Sequence, residues 1–341
     1  MDILLLDALV PEAQTWLEAH YSVEFRPELA DDPVLLRKAA YKSRGIVFPR
    51  QTVVTRELLD FLPKLKAIGR LHVGIDNADL DACKERGIKV IHASSAHVRS
   101  NAEYLLSSLL LLYRRGVVSA LMGRRQPTGQ VGPIGRELHG STVGILGLSP
   151  TAHTLAGMLS GLGVRLVGYD PAIHHSAPIW EQLRITPVTL TELLSQSDAV
   201  SVQMLYATRF RGFVSDKLLA ACKRGQLWVG ISRSALFDEA ALAKALLDGR
   251  IEACILDGAE ENFSDPASPV FGLKNLFITP RLGSHTREAR LRSSWHVARR
   301  MHEAIMAEQG AAAFLPSNTM ELGPTDASAP AKWSEPGFMI G

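Results

Sequence analysis

Short runs of apolar residues alternate with segments of helical period along most of this chain. Ile3–Leu6, Gly45–Phe48 and Lys89–Ile91 read as strands, and Arg56–Leu62 and Leu80–Arg86 as the helices between them. Continuous apolar runs of this length, separated by helical patterns, predict parallel strands covered on both faces. Ser100–Arg115 follows as a long, mostly apolar helix. A second series opens at Ser141, with strands expected at Thr142–Leu146, Arg165–Tyr169, Ala199–Gln203, Leu227–Ile231, Ala253–Leu256 and Leu276–Ile278. Six strands with intervening helices suit a doubly wound domain. Arg287–Glu308 reads as a final helix, and the Gly- and Pro-rich stretch Arg124–Glu137 as a surface connection. From Gly310 to Gly341 the period disappears and Ala, Pro, Ser and Gly dominate. That tail is expected to be extended or disordered; the other reading is a strap on a partner subunit through Trp333, Phe338 and Met339.

Composition narrows the function classes. A chain of 341 residues, 46% hydrophobic and 21% charged, has the length and make-up of two globular domains. Its formal charge of +2, with no basic block, argues against a nucleic-acid surface. The longest apolar stretch, Tyr104–Tyr113, holds two serines and falls short of the roughly 20 residues a membrane span needs. The N-terminus lacks the basic segment and apolar length of a signal peptide. Cys83, Cys222 and Cys254 are far apart, without metal-type spacing, and read as reduced thiols of a cytoplasmic protein. No H-E-x-x-H or G-x-S-x-G is present, so neither a zinc hydrolase nor a serine nucleophile is indicated, and no metal site is expected.

The chemistry-bearing signal is the run Thr142–Ala152. A buried strand enters a turn, Gly147-Leu148-Ser149-Pro150, and then a helix expected over Thr151–Leu162. The next strand ends at Asp170, 23 residues after Gly147. This is the layout of a Rossmann βαβ unit, in which the helix N-terminus offers N–H groups and a positive dipole end to a pyrophosphate. Asp170 would accept hydrogen bonds from the adenosine ribose and repel a 2′-phosphate, favouring NAD over NADP. The fingerprint G-x-G-x-x-G is incomplete. Ala152 is tolerated in the third position, but Ser149 replaces the second glycine and Pro150 removes a donor. A dinucleotide site and a Rossmann-shaped domain that no longer holds its ligand tightly both remain open.

Several further segments, in order, resemble the D-isomer-specific 2-hydroxyacid dehydrogenases over roughly residues 40 to 300. Leu65–Arg70 with Val73–Leu80 is similar to the family's substrate loop, and Arg99–Glu103 to its V-A-E helix start. Gly168–Pro171 resembles the ribose-binding strand end, and Leu227–Leu246 the segment carrying the catalytic arginine. Asp257 and the run Asn275–Pro280 fall where the last landmarks belong. The resemblance implies two Rossmann-like domains with parallel sheets. The dinucleotide-binding domain (99–286) would be inserted into a flavodoxin-like substrate domain (1–98 with 287–309), with the active site between them. It further implies a homodimer, NAD as cofactor and a small 2-oxo or 2-hydroxy acid as substrate.

Carried over by position, the cofactor contacts are Gly147, Ser149, Pro150, Thr151, Asp170, Ser232 and Asp257, and the substrate contacts Arg50, His72, Val73 and Gly74. Arg233 matches the catalytic arginine, whose planar fork suits a carboxylate and a carbonyl. The family's proton donor stands in T-P-H, and here the run is Thr279-Pro280-Arg281. Arginine, with a pKa above about 12, is no acid near neutrality. The partner glutamate of D-x-x-x-x-E-P is Asn262, followed by Phe263, with Glu260 and Glu261 out of phase; a small slip would restore Glu261. His285 would share a face with Arg281 if the intervening segment were helical. It is either a displaced acid or an ordinary loop histidine, and the same choice applies to His72. Gln203-Met204-Leu205 stands where the family often has His-Pro. Arg50, Arg233 and Arg281 together suggest a pocket for a dianionic ligand. The sequence leaves two classes open: an NAD-dependent oxidoreductase with an atypical proton donor, and a catalytically degenerate dinucleotide- or anion-binding protein with a regulatory or scaffold role.

Overall fold

The first strand shows how the chain is layered. Along β1 (Ile3–Leu5) the side chains alternate, Ile3 and Leu5 joining one core and Leu4, with Leu6 beyond it, joining another. A strand with two apolar faces needs cover on both. The computed structural model supplies it and describes residues 1–72, 74, 77–116 and 134–307. The tail from Gly310, the substrate-loop residue Val73 and most of the stretch 124–137 lie outside the described residues.

Five parallel strands form the first sheet in the order β2-β1-β3-β4-β5, with β2 Val23–Phe25, β3 Gly45–Val47, β4 Ala67–Arg70 and β5 Lys89–His92. This is the flavodoxin-like order expected. On one face lie α2 (Pro33–Ala40), α3 (Arg56–Asp60) and α4 (Leu80–Glu85). Asp32, Thr55 and Asp79 cap these three helices with side-chain oxygens. On the other face lie α1 (Pro11–Glu18) and the last helix of the described chain, α11 (Arg287–Met306), through Val297, Met301 and Ile305. Strands β2 and β4 were not expected from the pattern. Val23–Phe25 is an edge strand, and Ala67–Arg70 carries Gly69 and Arg70 in place of an apolar run.

After α5 (Val98–Tyr113) the chain builds a second, seven-stranded parallel sheet. Its strands are β6 (Thr142–Leu146), β7 (Arg165–Tyr169), β8 (Thr186–Pro187), β9 (Ala199–Val202), β10 (Gln226–Gly230), β11 (Ile251–Asp257) and β12 (Leu276–Thr279). They run in the order β12-β11-β10-β9-β6-β7-β8. Six were expected; the seventh, β8, is two residues long at the edge and carries Pro187, too short for a pattern to register. The order reverses between β6 and β9, the switch point at which doubly wound sheets open a crevice at their carboxyl ends. Helices α6 (Pro150–Ser160), α7 (Ile179–Gln182), α8 (Leu190–Gln196), α9 (Asp216–Leu219) and α10 (Glu239–Leu247) complete the layers. Pro150 occupies the first position of α6, so the helix starts one residue earlier than expected. Among the described residues no helix is long and apolar enough to cross a membrane, and the Tyr104–Tyr113 stretch is part of α5. The three cysteines are free, with Cys83 and Cys254 buried.

Helix α11 lies so close to the first sheet that β3 and β4 have glycine beneath it. A Cβ at Gly69 would stand 2.6 Å from Val297 Cγ1 and 3.1 Å from Met301 Cε. We therefore expect Gly69→Ala to lower stability by about 1–3 kcal/mol, through overpacking. The urea midpoint should fall with an unchanged slope, and an unchanged midpoint would show that α11 can shift freely.

Candidate active site

The candidate residues come from the carboxyl ends of strands in both sheets. In the second sheet, Gly147 follows β6 with φ +92°, and a Cβ there would meet the Met204 backbone at 2.4 Å. Only glycine allows this turn and this approach. Gln203, buried after β9, accepts from Ser201 at 2.7 Å and donates to the Gly147 carbonyl at 3.1 Å. Ser232 donates to the Met204 carbonyl at 2.9 Å. The replacement of the family's His-Pro is thus a polar strap that holds the glycine turn against β9, with Leu205 exposed beside it. Ser232, expected at the cofactor, has its hydroxyl in this strap.

Asp170 ends β7 and accepts from Leu148 N at 2.7 Å and Ala172 N at 2.8 Å. Each carboxylate oxygen retains a lone pair for a further donor. Ser149 is the N-cap residue of α6, yet its Oγ makes no capping bond; it is buried without a hydrogen-bond partner among the described residues. Thr151 is buried and Pro150 exposed in the first turn, whose N–H groups a helix leaves without internal acceptors. An orphan hydroxyl beside free N–H groups, with a carboxylate at the end of the next strand, fits a pyrophosphate and its ribose. The serine therefore adds a possible donor where the glycine pattern lost space.

Arg233 leaves the end of β10 and is braced from two sides. Its Nε donates to Glu260 Oε1 at 2.9 Å, and its guanidinium lies 5.0 Å from the Tyr206 ring centroid. The other Glu260 oxygen accepts from Ser234 Oγ and, at 3.0 Å, from Ala235 N; Ser234 Oγ in turn accepts from Glu260 N at 2.8 Å. Phasing left Glu260 unassigned, and the structure makes it a partner of Arg233. Asn262, in the family's glutamate position, donates to Glu239 at the start of α10.

Asp257, at the end of β11, is 7% exposed. It accepts from Thr279 Oγ1 and Leu282 N at 2.6 Å each and from Gly283 N at 2.7 Å. Tyr104 of α5 joins Thr279 Oγ1 at 2.6 Å. Asp257, expected among the cofactor contacts, clamps the turn that presents Arg281. Arg281 itself is in the left-handed conformation, φ +59°, and its side chain crosses Gly258. The segment Leu282–Ser284 is a 3-10 turn, with three residues per turn where an α-helix has 3.6. Arg281 and His285 flank this turn, neither in helical conformation, so they do not share the face an α-helix would give them. His285 is exposed.

The first sheet contributes Asp7 after β1, Arg50 after β3 and His72 after β4. Arg70 is buried beneath them, donating to the Thr52 carbonyl at 2.9 Å, a carbonyl that also accepts from Asn77. His97 bonds the Leu71 carbonyl at 2.8 Å. His72 Nε2 stands 3.7 Å from Asp7 Oδ2. Burial pushes the imidazole down to about 4, aided by the charges of Arg50, His97, Arg70 and Arg281. Arg50 and Arg281, two of the three arginines expected to share an anion pocket, are electrostatic neighbours of this histidine. Gly74 is half-buried nearby in sequence. Asp7, Arg70, Tyr104, Tyr206 and Glu260 were not singled out as site residues. The available signal for Asp7 was a carboxylate directly after a buried parallel strand.

The region 107–283 matches the NAD binding domain of the D-isomer specific 2-hydroxyacid dehydrogenases. An (S)-sulfolactate dehydrogenase from Chromohalobacter salexigens is 31% identical over 304 residues, covering 89% of this chain and 98% of that protein. A D-3-phosphoglycerate dehydrogenase from Mycobacterium bovis is 33% identical over 308 residues, 90% of this chain, which spans only 57% of that protein. The crystal structure of a putative D-isomer specific 2-hydroxyacid dehydrogenase from Polaromonas superposes with a TM-score of 0.78 at 26% identity, covering 90% of this chain and 96% of that one. The chain belongs to the D-isomer specific 2-hydroxyacid dehydrogenase family, and the family's cofactor is NAD.

Replacing Asp257 by Asn leaves one acceptor oxygen for three donors. We expect Asp257→Asn to cost about 1–3 kcal/mol and to loosen the segment 279–286. Faster hydrogen exchange confined to Leu282 and Gly283 checks this; unchanged protection there would show that the clamp is not what holds the turn.

Proposed function

We propose that this chain is an NAD-dependent oxidoreductase interconverting a 2-oxo acid and the corresponding 2-hydroxy acid, its substrate carrying a second acidic group. The observation that carries the reading is the bracing of Arg233 at the end of β10, between Glu260 and the Tyr206 face, on the same sheet edge as the Gly147 turn. A guanidinium oriented in this way suits carboxylate and carbonyl oxygens without reorganising. When bound, the nicotinamide supplies or accepts the hydride at the substrate carbon. Gly147, Ser149, Thr151 and Asp170 would hold the dinucleotide, with Pro150 shaping the turn, while Ser232 and Asp257 position the elements around it. In this reading residues 1–98 with 287–309 bind the substrate, residues 99–286 the dinucleotide, and two copies pair as a homodimer.

Arg281 supplies charge, not a proton. With Arg50 it makes the edge near His72 strongly cationic, which favours a ligand with two anionic groups. The names of the two relatives, sulfolactate and phosphoglycerate dehydrogenase, denote acids of this kind. In this reading His285, exposed beyond the 3-10 turn, takes no part in the proton path. A second reading, a degenerate dinucleotide- or anion-binding protein, is favoured by one observation: Asn262 is bonded to Glu239, and no carboxylate–histidine pair stands at the family's acid position.

Titration with NADH, followed by cofactor fluorescence, separates the two. We expect saturable binding in the micromolar range and reduction of three-carbon 2-oxo acids bearing a sulfonate, phosphate or second carboxylate. Arg233→Ala should lower kcat/KM by about 10²–10³-fold with little change in NADH affinity. Binding without turnover of any such acid would favour the second reading, and silence towards both NADH and NADPH at millimolar concentration would remove the dehydrogenase and leave an anion-binding or scaffold protein.

A further inference from the structure

The site has an arginine where the family keeps its proton donor, yet reduction of a carbonyl still requires a proton. The only Asp–His pair among the described residues stands at the carboxyl edge of the other sheet. Asp7 follows β1 and His72 follows β4, strands separated in the sheet only by β3, which delivers Arg50. We infer that His72, held by Asp7, is the group that exchanges the proton with the substrate oxygen, so that the acid has moved from the dinucleotide-binding half to the substrate-binding half. The inference rests on the proposed dehydrogenase activity.

The geometry supports each part of this role. His72 Nε2 is 3.7 Å from Asp7 Oδ2, longer than a hydrogen bond and short enough to close when the ring is charged. In this role the ring's other nitrogen, Nδ1, exchanges the proton with the ligand. About two-fifths of the His72 side chain is accessible, so a small acid can reach it. Asp7 is fixed from behind: it accepts from Ala8 N at 2.9 Å, and the Ala8 carbonyl accepts from Arg290 of α11 at 3.3 Å. Ser294 of the same helix accepts from Val10 N at 3.1 Å. His97 secures the adjacent Leu71 carbonyl.

The charged and titratable groups around His72 are Asp7 after β1, Arg50 after β3, Arg70 on β4, His97 before α5 and Arg281 after β12, with Arg290 acting on Asp7. Burial and the three arginines keep the imidazole neutral when no ligand is bound. An anion placed between Arg50 and Arg281 screens those charges and adds an attraction for the imidazolium. Substrate binding and proton uptake are then coupled, each favouring the other by the same factor. In reduction, hydride adds to the carbonyl carbon and the C=O π pair moves to oxygen. The N–H bond of His72 breaks as the O–H bond forms, leaving neutral imidazole and the hydroxy acid. Oxidation is the reverse.

The test uses the full chain. Histidine Cε1–H resonances are followed against pH by NMR, with His72 assigned by its loss in His72→Gln or, if that variant folds poorly, His72→Asn. The probe is oxalate, a dianion that cannot accept hydride. The His72 midpoint is expected near 4 without oxalate and at least one pH unit higher at saturation, with a smaller rise in Asp7→Asn. In turnover, His72→Gln should lose about 10²–10⁴-fold in kcat and the alkaline fall of the reduction rate, with NADH affinity unchanged. A midpoint unmoved by oxalate, or a His72→Gln enzyme with wild-type kcat and pH profile, overturns the assignment. If the wild type binds no NADH and reduces no acid, the dehydrogenase reading itself has failed; if it turns over and His72→Gln matches it, only the proton donor is wrong.

Discussion

The Asp257 carboxylate holds the two halves of this molecule in their working relation. It is buried at the end of β11, where a charge is costly unless its lone pairs are filled, and it is filled by Thr279 Oγ1, Leu282 N and Gly283 N. Those donors belong to the segment that leaves the second sheet and becomes α11, the helix that closes the first sheet. Ser100 at the start of α5 adds a bond to the Gly283 carbonyl, and Tyr104 ties Thr279 to the same helix. Both chain crossings between the sheets therefore meet at one buried acid. The left-handed Arg281, which costs about 1–2 kcal/mol in backbone terms, is tolerated because the turn around it is held on both sides.

This clamp also separates structural from chemical duty. Asp257 and Ser232 occupy positions that the family associates with the cofactor, yet here their polar atoms are engaged in holding loops. In the proposed reading the chemistry falls to other groups. Arg233 is oriented by Glu260 and Tyr206, and His72 is backed by Asp7 across the cleft. Substituting arginine for an acid changes the charge of the site as well as its proton inventory, and a more cationic pocket selects a more anionic substrate. The two departures are then linked: the residue that removed one proton donor also sets the field that controls the protonation of another.

Much of this was legible in the chain. The strands Thr142–Leu146 and Arg165–Tyr169 were read with their observed ends, because a strand buried on both faces is an unbroken apolar run and Gly147 and Asp170 punctuate it. Arg233 and Asp170 were found by their place after such strands. Strand β4 was missed, since Gly69 and Arg70 answer to the packing of α11 and to the Thr52 carbonyl, contacts made by residues far away in sequence. Strand β8 was missed because two residues carry no period.

The sequence by itself determined the layers, the order of the elements, the family and the residue types available for catalysis, since these depend on local pattern and on motifs a few residues long. Only the tertiary structure decided which of those residues meet. Glu260 reaches Arg233 while Asn262 bonds to Glu239, and the left-handed Arg281 and the exposed His285 flank a three-residue 3-10 turn instead of sharing a helix face. His72 finds Asp7 from a different strand, 65 positions earlier in the chain. Such pairings follow from sheet order and from where buried polar atoms find partners, and neither is written in the spacing of residues along the chain.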